Sequence, residues 1–421
     1  MSLPATVRDR RAELLESAGN ARHGIVPRAQ VARTAMADLP GVWHVGVPQH
    51  SADRWSSASG GVGRDVAGAR RAAIGEALER YAAVTCPLAV RARSQLAADR
   101  EAVLPAQAFS LLSEAQVARA GTQLGALYGE DAPYTRVFSL HDNEPAWVPH
   151  ELVTLRGQSG LVTSSGLAAG TTVLRALLRA TQEIVERDAL MISWLHGVPG
   201  RQVRMPARYR DDVAALAGRV TCIDATPAYS PHHVAIVAGS LPLRGRERIS
   251  LGAACRDTWE AAVDKAFLEW AQGVFFVGEY LAHHPGLRFE TYEDVDTFDA
   301  HAVYYSTAPR EWAKVALMGG EPAPAPVDAE PAPRTVAGQL EALVARLGAA
   351  RVRLYYRDLT TPDLRQVGMH AVRVLSPDLT PIFCHPRHPF LGGRSPDVLW
   401  RYPWAAGMDL RFPNPMPHPL G

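Results

Sequence analysis

The chain has 421 residues, of which 47% are hydrophobic and 21% charged, and its formal net charge is +1. That balance suits a globular protein with a sizeable core and excludes the strongly basic surface that recruits nucleic acid or an anionic membrane. The four cysteines, Cys86, Cys222, Cys255 and Cys384, lie far apart in apolar surroundings without a Cys-x-x-Cys pair, so neither a structural zinc site nor a disulfide framework is expected and the thiols read as inert.

In chain order, residues 9–20 read as a short amphipathic helix. A mixed segment, 21–62, follows, with the strand-like "GVWHVGV" and a glycine loop, "SASGGVG". The pattern predicts a helix over 65–83, strands around a turn within 132–156, a loop at "TSSGLAAGTT" and a helix over 172–196. "CIDATP" and "HHVAIVAGSL" read as buried strands, and "GAACRDTWEAAVDKAFLEWAQGVFFVGEYLA" as a strand end and a long helix. "EPAPAPVDAEPAP", 321–333, alternates proline and alanine as a linker or a surface loop does. Beyond it come a helix over 335–348, the strand "RVRLYYRDL", and the tail "FPNPMPHPLG", residues 412–421. No run of about 18 apolar residues occurs and the N-terminus has no long apolar stretch, so a cytoplasmic protein without a membrane span is the expectation.

Two of the helices carry the same signature. "AIGEALERY" holds Glu76, Glu79 and Arg80; "ATQEIVERDA" holds Glu183, Glu186, Arg187 and Asp188. Gly63 and Gly170 each stand thirteen residues before the first glutamate, and Ala73 and Ala180 three before it. Ala266, Glu269 and Gln272 form a degenerate third copy, with Gln for the second Glu and no Arg after it. Residues i and i+3 of a helix lie about 60° apart, so each pair shares a face. One Glu-x-x-Glu is commonly a solvated surface feature. Repetition among Ala, Ile, Leu and Val points instead to half-buried acids, which repel unless a cation sits between them. Glu76, Glu79, Glu183 and Glu186 therefore read as oxygen ligands for Mg2+, which keeps places for water and substrate phosphates. The glycine-rich "SGGVGR" and "SSGLAAGTT" then become candidate phosphate cradles, although neither is a Walker A or a dinucleotide loop.

"SGGVGRDVAGARRAAIGEALERY", "TSSGLAAGTTVLRALLRATQEIVERDALMISW" and "DLTTPDLRQVGMHAVRVLSPDLTPI" resemble the three signature regions of the YcaO family, and more closely its thiazole/oxazole-forming peptide maturase branch. Weaker likeness covers the chain from about residue 24 to 421. The resemblance implies an α/β (α+β) YcaO-type fold over the whole chain, with ATP between sheets and acidic helices. It implies ATP- and Mg2+-dependent cyclodehydration of Cys, Ser or Thr in a ribosomally made precursor peptide to thiazoline or oxazoline. Carried over by residue, it makes Glu76, Glu79, Glu183 and Glu186 the Mg2+–nucleotide acids and Arg187 a phosphate ligand with a catalytic role. Ser59 and Arg64 fall in the first nucleotide loop and Ser165 and Gly166 in the second, with Gln272 and Arg373 as weaker matches. The family often has Asn where Ser165 stands and Lys where Arg64 stands. Branch members end in alternating prolines whose terminal carboxylate enters the active site; here Leu420 and Gly421 follow Pro419, which makes Gly421 the candidate catalytic carboxylate. Stiff, extended proline geometry would hold such an end at little entropic cost. The implied partners are the precursor peptide, a separate leader-binding protein resembling a ubiquitin-activating enzyme, and a second copy in a homodimer, with no nucleic acid and no membrane.

Thioamide- or amidine-forming relatives use the same site chemistry, and a catalytically silent peptide-binding scaffold or an unrelated magnesium-dependent hydrolase is the alternative from another class. His370 reads as a strand residue, Thr361 or Asp363 as a helix cap, and the pairs His232–His233 and His283–His284 as surface.

Overall fold

Three β-sheets with helices packed against them appear in the computed structural model, which describes residues 10–31, 39–48, 59–129, 131–157, 159–243, 245–328, 333–385 and 388–421. The first sheet is antiparallel, β1 (Gln30–Val31), β2 (Trp43–Val47) and β3 (Ser59–Gly63), in that order. The second sheet is made from β4 (Val90–Ala92), β5 (Pro133–Ser139), β6 (Pro145–Pro149), β7 (Leu167–Gly170), β13 (Tyr355–Asp358) and β14 (His370–Leu375). Its order is β4-β5-β13-β14-β7, and β6 pairs with β5. The third comprises β8 (Arg201–Val203), β9 (Arg219–Asp224), β10 (His233–Leu243), β11 (Arg246–Arg256) and β12 (Pro322–Ala323), ordered β11-β10-β9-β8-β12. Among the described strands only β12 runs parallel to its neighbour, β8.

Six helices matter for the site: α1 (Arg10–Ala18), α2 (Val66–Thr85), α3 (Val173–His196), α4 (Trp259–His283), α5 (Phe298–Thr307) and α6 (Val336–Ala349). α2 packs on β2, β3, β7 and β14; α3 on β7, β14 and β11; α4 on β10 and β11. The three glutamate helices thus lie between sheets rather than on the surface.

The threefold echo has a structural cause. Asp65, Thr172 and Thr258 cap α2, α3 and α4 through side-chain oxygens that accept from Gly68, Arg175 and Ala261 N–H. Each cap stands eleven residues before its glutamate: Glu76, Glu183 or Glu269. Each helix lies tight on the strand that feeds it. A Cβ at Gly61 would come 2.2 Å from Ala73 N, and one at Gly252 would come 2.2 Å from Trp270 N. Glycine in the strand against alanine in the helix is what allows that approach.

The expected helices and strands form close to their predicted bounds, but both glycine-rich "loops" are corrected. Ser59–Gly63 and Leu167–Gly170 are strands, because cross-strand pairing with β2 and β14 satisfies their backbones. The start of "SASGGVG" lies outside the described residues. Within the Pro/Ala-rich stretch, Pro322–Ala323 pairs with Gln202–Val203, and Asp328 accepts from Trp259 N at 2.8 Å, so this part is tied down. His232 and His233 are buried, not surface, at 5% and 7% exposure. Gln182 and Asp328 offer them polar partners there. His283 and His284 are exposed, as expected.

Candidate nucleotide and metal site

α2 contributes Glu76 and Glu79, α3 contributes Glu183, Glu186 and Arg187, α4 contributes Glu269, and β14 contributes Arg373. Glu76 accepts from Arg80 Nη2 at 2.8 Å and Nε at 3.1 Å, and its other oxygen accepts from Gly60 N–H at 3.1 Å. The Gly60 N–H is therefore used inside the protein rather than offered to an anion. Arg187 lies between its own helix's acids, with Nε 3.6 Å from Glu183 and Nη1 3.4 Å from Glu186. Glu186 Oε2 accepts from Cys255 N–H at 3.2 Å. Arg373 gives one hydrogen bond, Nη1 to the Thr163 carbonyl at 2.8 Å, and stands near Glu183 and Glu79.

The electrostatics are those of too much negative charge held out of water. Burial, reinforced by Glu183 and Glu76, raises Glu79 well above the usual carboxylate value, against Arg80 and a hydrogen bond from Ala169 N–H. Burial likewise raises Glu183, opposed by Arg187 and Arg373. Glu186 is pushed up to about 8 by burial, with Arg187 opposing and Glu269 and Glu183 adding to the rise. Burial lowers Arg373 to about 10, against the pull of Glu183 and Glu79. Among the described residues no three His, Cys, Asp or Glu side chains converge closely enough to cage a metal by themselves. Mg2+ binds through a few carboxylates and completes its shell with water and phosphate oxygens. Ser59 Oγ and Arg373 Nε are buried without a hydrogen-bond partner among the described residues, and such orphans are what a polyoxygen ligand satisfies. The donor set therefore fits a nucleotide with a divalent cation.

Other expected site residues are placed differently. Arg64 pairs with Asp264 at 2.5 Å and lies over the Tyr209 ring, 4.9 Å from its centre, so its guanidinium already has partners inside the protein. A positively charged side chain one residue before the Asp65 cap is directed toward α4, where Asp264 waits. Ser165 is buried, 3.0 Å from Thr163 Oγ1, and accepts from Ile382 N–H at 3.3 Å; it lines a small apolar cavity of about 50 Å3 together with Arg373 and Ile184. Gly166 has φ +80°, and a Cβ there would come 2.1 Å from the Val374 carbonyl, so its place is set by packing on β14. Gln272 reaches β3: its Nε2 lies 2.6 Å from where a Gly60 Cβ would be. Glu269, which the degenerate third echo carries, joins the expected acids. It is paired with Lys265 at 3.0 Å and its charge acts on Glu183, Glu186 and Arg187.

The tail is fixed. Trp194 Nε1 donates to the Met416 carbonyl at 2.7 Å, Tyr305 OH to that of Pro417 at 2.7 Å, and His301 Nδ1 lies 2.9 Å from that of His418. His418 is fully buried and near enough to Arg187 to feel its charge. Gly421 is exposed and packs beside Phe298 and Ala302.

A family model described as YcaO cyclodehydratase, ATP- and Mg2+-binding, matches residues 60–380. An uncharacterized protein of Methanothermobacter thermautotrophicus is 24% identical over 368 residues, 82% of this chain and 89% of its own length. Among solved structures, a heterocyclase in complex with substrate and cofactor is similar at a TM-score of 0.74 and 18% identity, over 99% of this chain. This chain spans 59% of that protein's length. The YcaO protein from Methanopyrus kandleri bound with AMPPCP and Mg2+ matches at 0.62 and 18% identity, over 88% of this chain and 89% of its own. The E. coli microcin synthetase McbBCD complex contains a chain matching at 0.60 and 14% identity, over 86% and 90%.

Buried carboxylates in excess, with a guanidinium and a hydroxyl left over, are the chemistry that suits a nucleotide held through a hard divalent cation. The family match makes the assignment: the chain belongs to the YcaO family, and its cofactors are ATP and Mg2+. No helix among the described residues is long and apolar enough to cross a membrane.

Proposed function

We propose that the protein is a peptide cyclodehydratase, converting Cys, Ser or Thr of a ribosomally made precursor peptide to thiazoline or oxazoline. The observation that carries this reading is the meeting of the Glu79–Glu183–Glu186 cluster and Arg187 with an anchored C-terminal tail. The peptide's thiol or hydroxyl adds to the preceding amide carbon, forming the C–S or C–O bond. The carbonyl oxygen takes the γ-phosphoryl group of bound ATP and leaves as phosphate, with ADP as the other product. The amide nitrogen loses its proton as the C=N bond forms.

In this scheme Glu76, Glu79, Glu183 and Glu186 would hold Mg2+, with Glu269 adding charge to the same region. Arg187 and Arg373 offset phosphate charge, and Ser59 and Gln272 offer hydrogen bonds from the β3 side. The Gly421 carboxylate, at the end of the anchored tail, accepts the proton of the attacking side chain. A separate leader-binding partner and a homodimer complete the proposal. The test is incubation with ATP, Mg2+ and synthetic peptides carrying Cys, Ser or Thr, alone and with the candidate partner. One ADP per water lost from the peptide is expected. ADP release that ignores peptide would sink the reading, and exchange of an amide oxygen for sulfur would replace it with thioamide formation.

A further inference from the structure

Arg175 and Arg179 stand two turns and one turn before Glu183 on α3, and both are exposed. Arg256 joins them from the end of β11. None of the three meets a carboxylate at ion-pair distance among the described residues. Arg179 Nη1 donates to Gln182 Oε1 at 3.1 Å, and Arg256 Nη1 donates to the Cys255 carbonyl at 2.5 Å. The neighbouring carboxylate, Asp257, already accepts from Gln339 Nε2 at 2.6 Å. Crowding by protein, then repulsion from Arg256 and Arg175, lowers Arg179 to about 10. The charge of Asp257 reaches Arg179 and that of Arg256 reaches Glu186, yet three guanidiniums gather here, without an ion-pair partner among the described residues, in a protein of net charge +1.

We infer that Arg175, Arg179 and Arg256 form a subsite for an acidic, extended segment of the peptide substrate. The inference rests on the peptide-modifying reading above and names the substrate feature that reading leaves open. The chemistry recognised is an oxyanion, and the spacing selects its source. Residues i and i+4 of a helix are offset by about 6 Å along the axis. Alternate side chains of an extended peptide repeat about every 6.6–6.8 Å. Arg175 and Arg179 therefore match carboxylates at alternate peptide positions. A single phosphate is better held by guanidiniums converging on one point. Because Glu183 is the next rung, the acidic residues would lie about two and four positions from the residue being modified.

The test uses the full chain and its R175E/R179E variant, both changes lying at exposed positions. The probes are fluorescein-labelled peptides that alternate Glu with Ser, or Gln with Ser, each ending in Cys. Fluorescence anisotropy should show wild type preferring the Glu peptide. The variant should bind that peptide roughly tenfold more weakly, as loss of two exposed charge pairs of about 0.7 kcal/mol each requires. ATP–Mg2+ affinity, measured by calorimetry alongside, should stay within about twofold. Equal binding of Glu and Gln peptides by wild type overturns the inference. So does a parallel loss of ATP–Mg2+ affinity, which would assign the patch to nucleotide phosphates. Displacement of the Glu peptide by inorganic phosphate but not by chloride at matched ionic strength would assign it to released phosphate. Mass spectrometry of the same mixtures with ATP separates the two readings: a Glu peptide that binds but never loses water contradicts the proposed reaction and leaves the subsite standing.

Discussion

Asp188 and Arg401 form a bidentate pair, Oδ1 to Nη2 at 2.7 Å and Oδ2 to Nε at 3.0 Å, with both side chains at 0% exposure. Tyr229 OH and Thr380 N–H also donate to Asp188, each at 2.7 Å. Arg187 faces the acids while Asp188, the next residue, faces the other way and bolts α3 to the C-terminal region. The ERD sequence thus faces two ways, Arg187 toward Glu183 and Glu186 and Asp188 toward Arg401.

Removing one partner of this pair strands a buried charge. Asp188→Ala should cost about 3–5 kcal/mol, read as a shift in the denaturant midpoint. Asp188→Ala combined with Arg401→Met should recover part of the loss. Equal loss in the single and double variants would contradict the pairing argument.

Glu79 and Glu183 repel each other within the protein and are expected to be useful only once cations arrive. Glu79→Gln and Glu183→Gln should each weaken ATP–Mg2+ binding more than tenfold by calorimetry. Thermal stability without nucleotide should stay level or rise. A variant that loses stability while keeping nucleotide affinity would mark these acids as structural.

Arg64 is engaged with Asp264 and the Tyr209 ring. Arg64→Ala should lower stability by about 0.5–1 kcal/mol, given that the pair is partly exposed. ATP–Mg2+ affinity should change less than about twofold. A large loss of affinity would return Arg64 to the nucleotide.

Burial lowers several histidines, and His44 and His232 are two of them. Burial lowers both His44 and His232 from 6.5 to about 4, so the folded state favours their neutral forms. Their contribution is complete above about pH 6.5 and fades as the pH falls toward 4. His44 stacks on Phe275 with centroids 4.6 Å apart, and its Nδ1 is buried without a hydrogen-bond partner among the described residues. His44→Phe should therefore flatten the loss of stability between pH 6.5 and 4 relative to wild type; an unchanged slope would refute the assignment.

The tail predicts a separation of effects. Deleting Pro419–Gly421 leaves the Trp194, Tyr305 and His301 contacts in place, so ATP–Mg2+ binding should persist while peptide-dependent ADP release disappears. Deleting residues 414–421 leaves the Trp194 and Tyr305 donors unpaired and should also cost stability, about 1–3 kcal/mol for each. Full turnover by the shorter deletion would remove Gly421 from the chemistry.

The local periodicities in the sequence determined the three glutamate helices, their caps and the spacing from glycine to acid, because helix phase, capping and close strand–helix approach depend on residues within a few turns. The resemblance of three long motifs pointed to ATP and Mg2+, which the family match supports. Tertiary structure alone decided which copies of the echo meet. It brought Glu269 beside Glu183 and Glu186, and it set Arg373 of the second sheet against Glu183 and Glu79 of two earlier helices. It turned the expected phosphate loops into strands and spent the Gly60 N–H on Glu76. It also sent Arg64 to Asp264, buried His232 and His233, and anchored the proline tail on α3 and α5. These outcomes rest on contacts between distant segments, where the order of strands in a sheet chooses the partner and no local period records it.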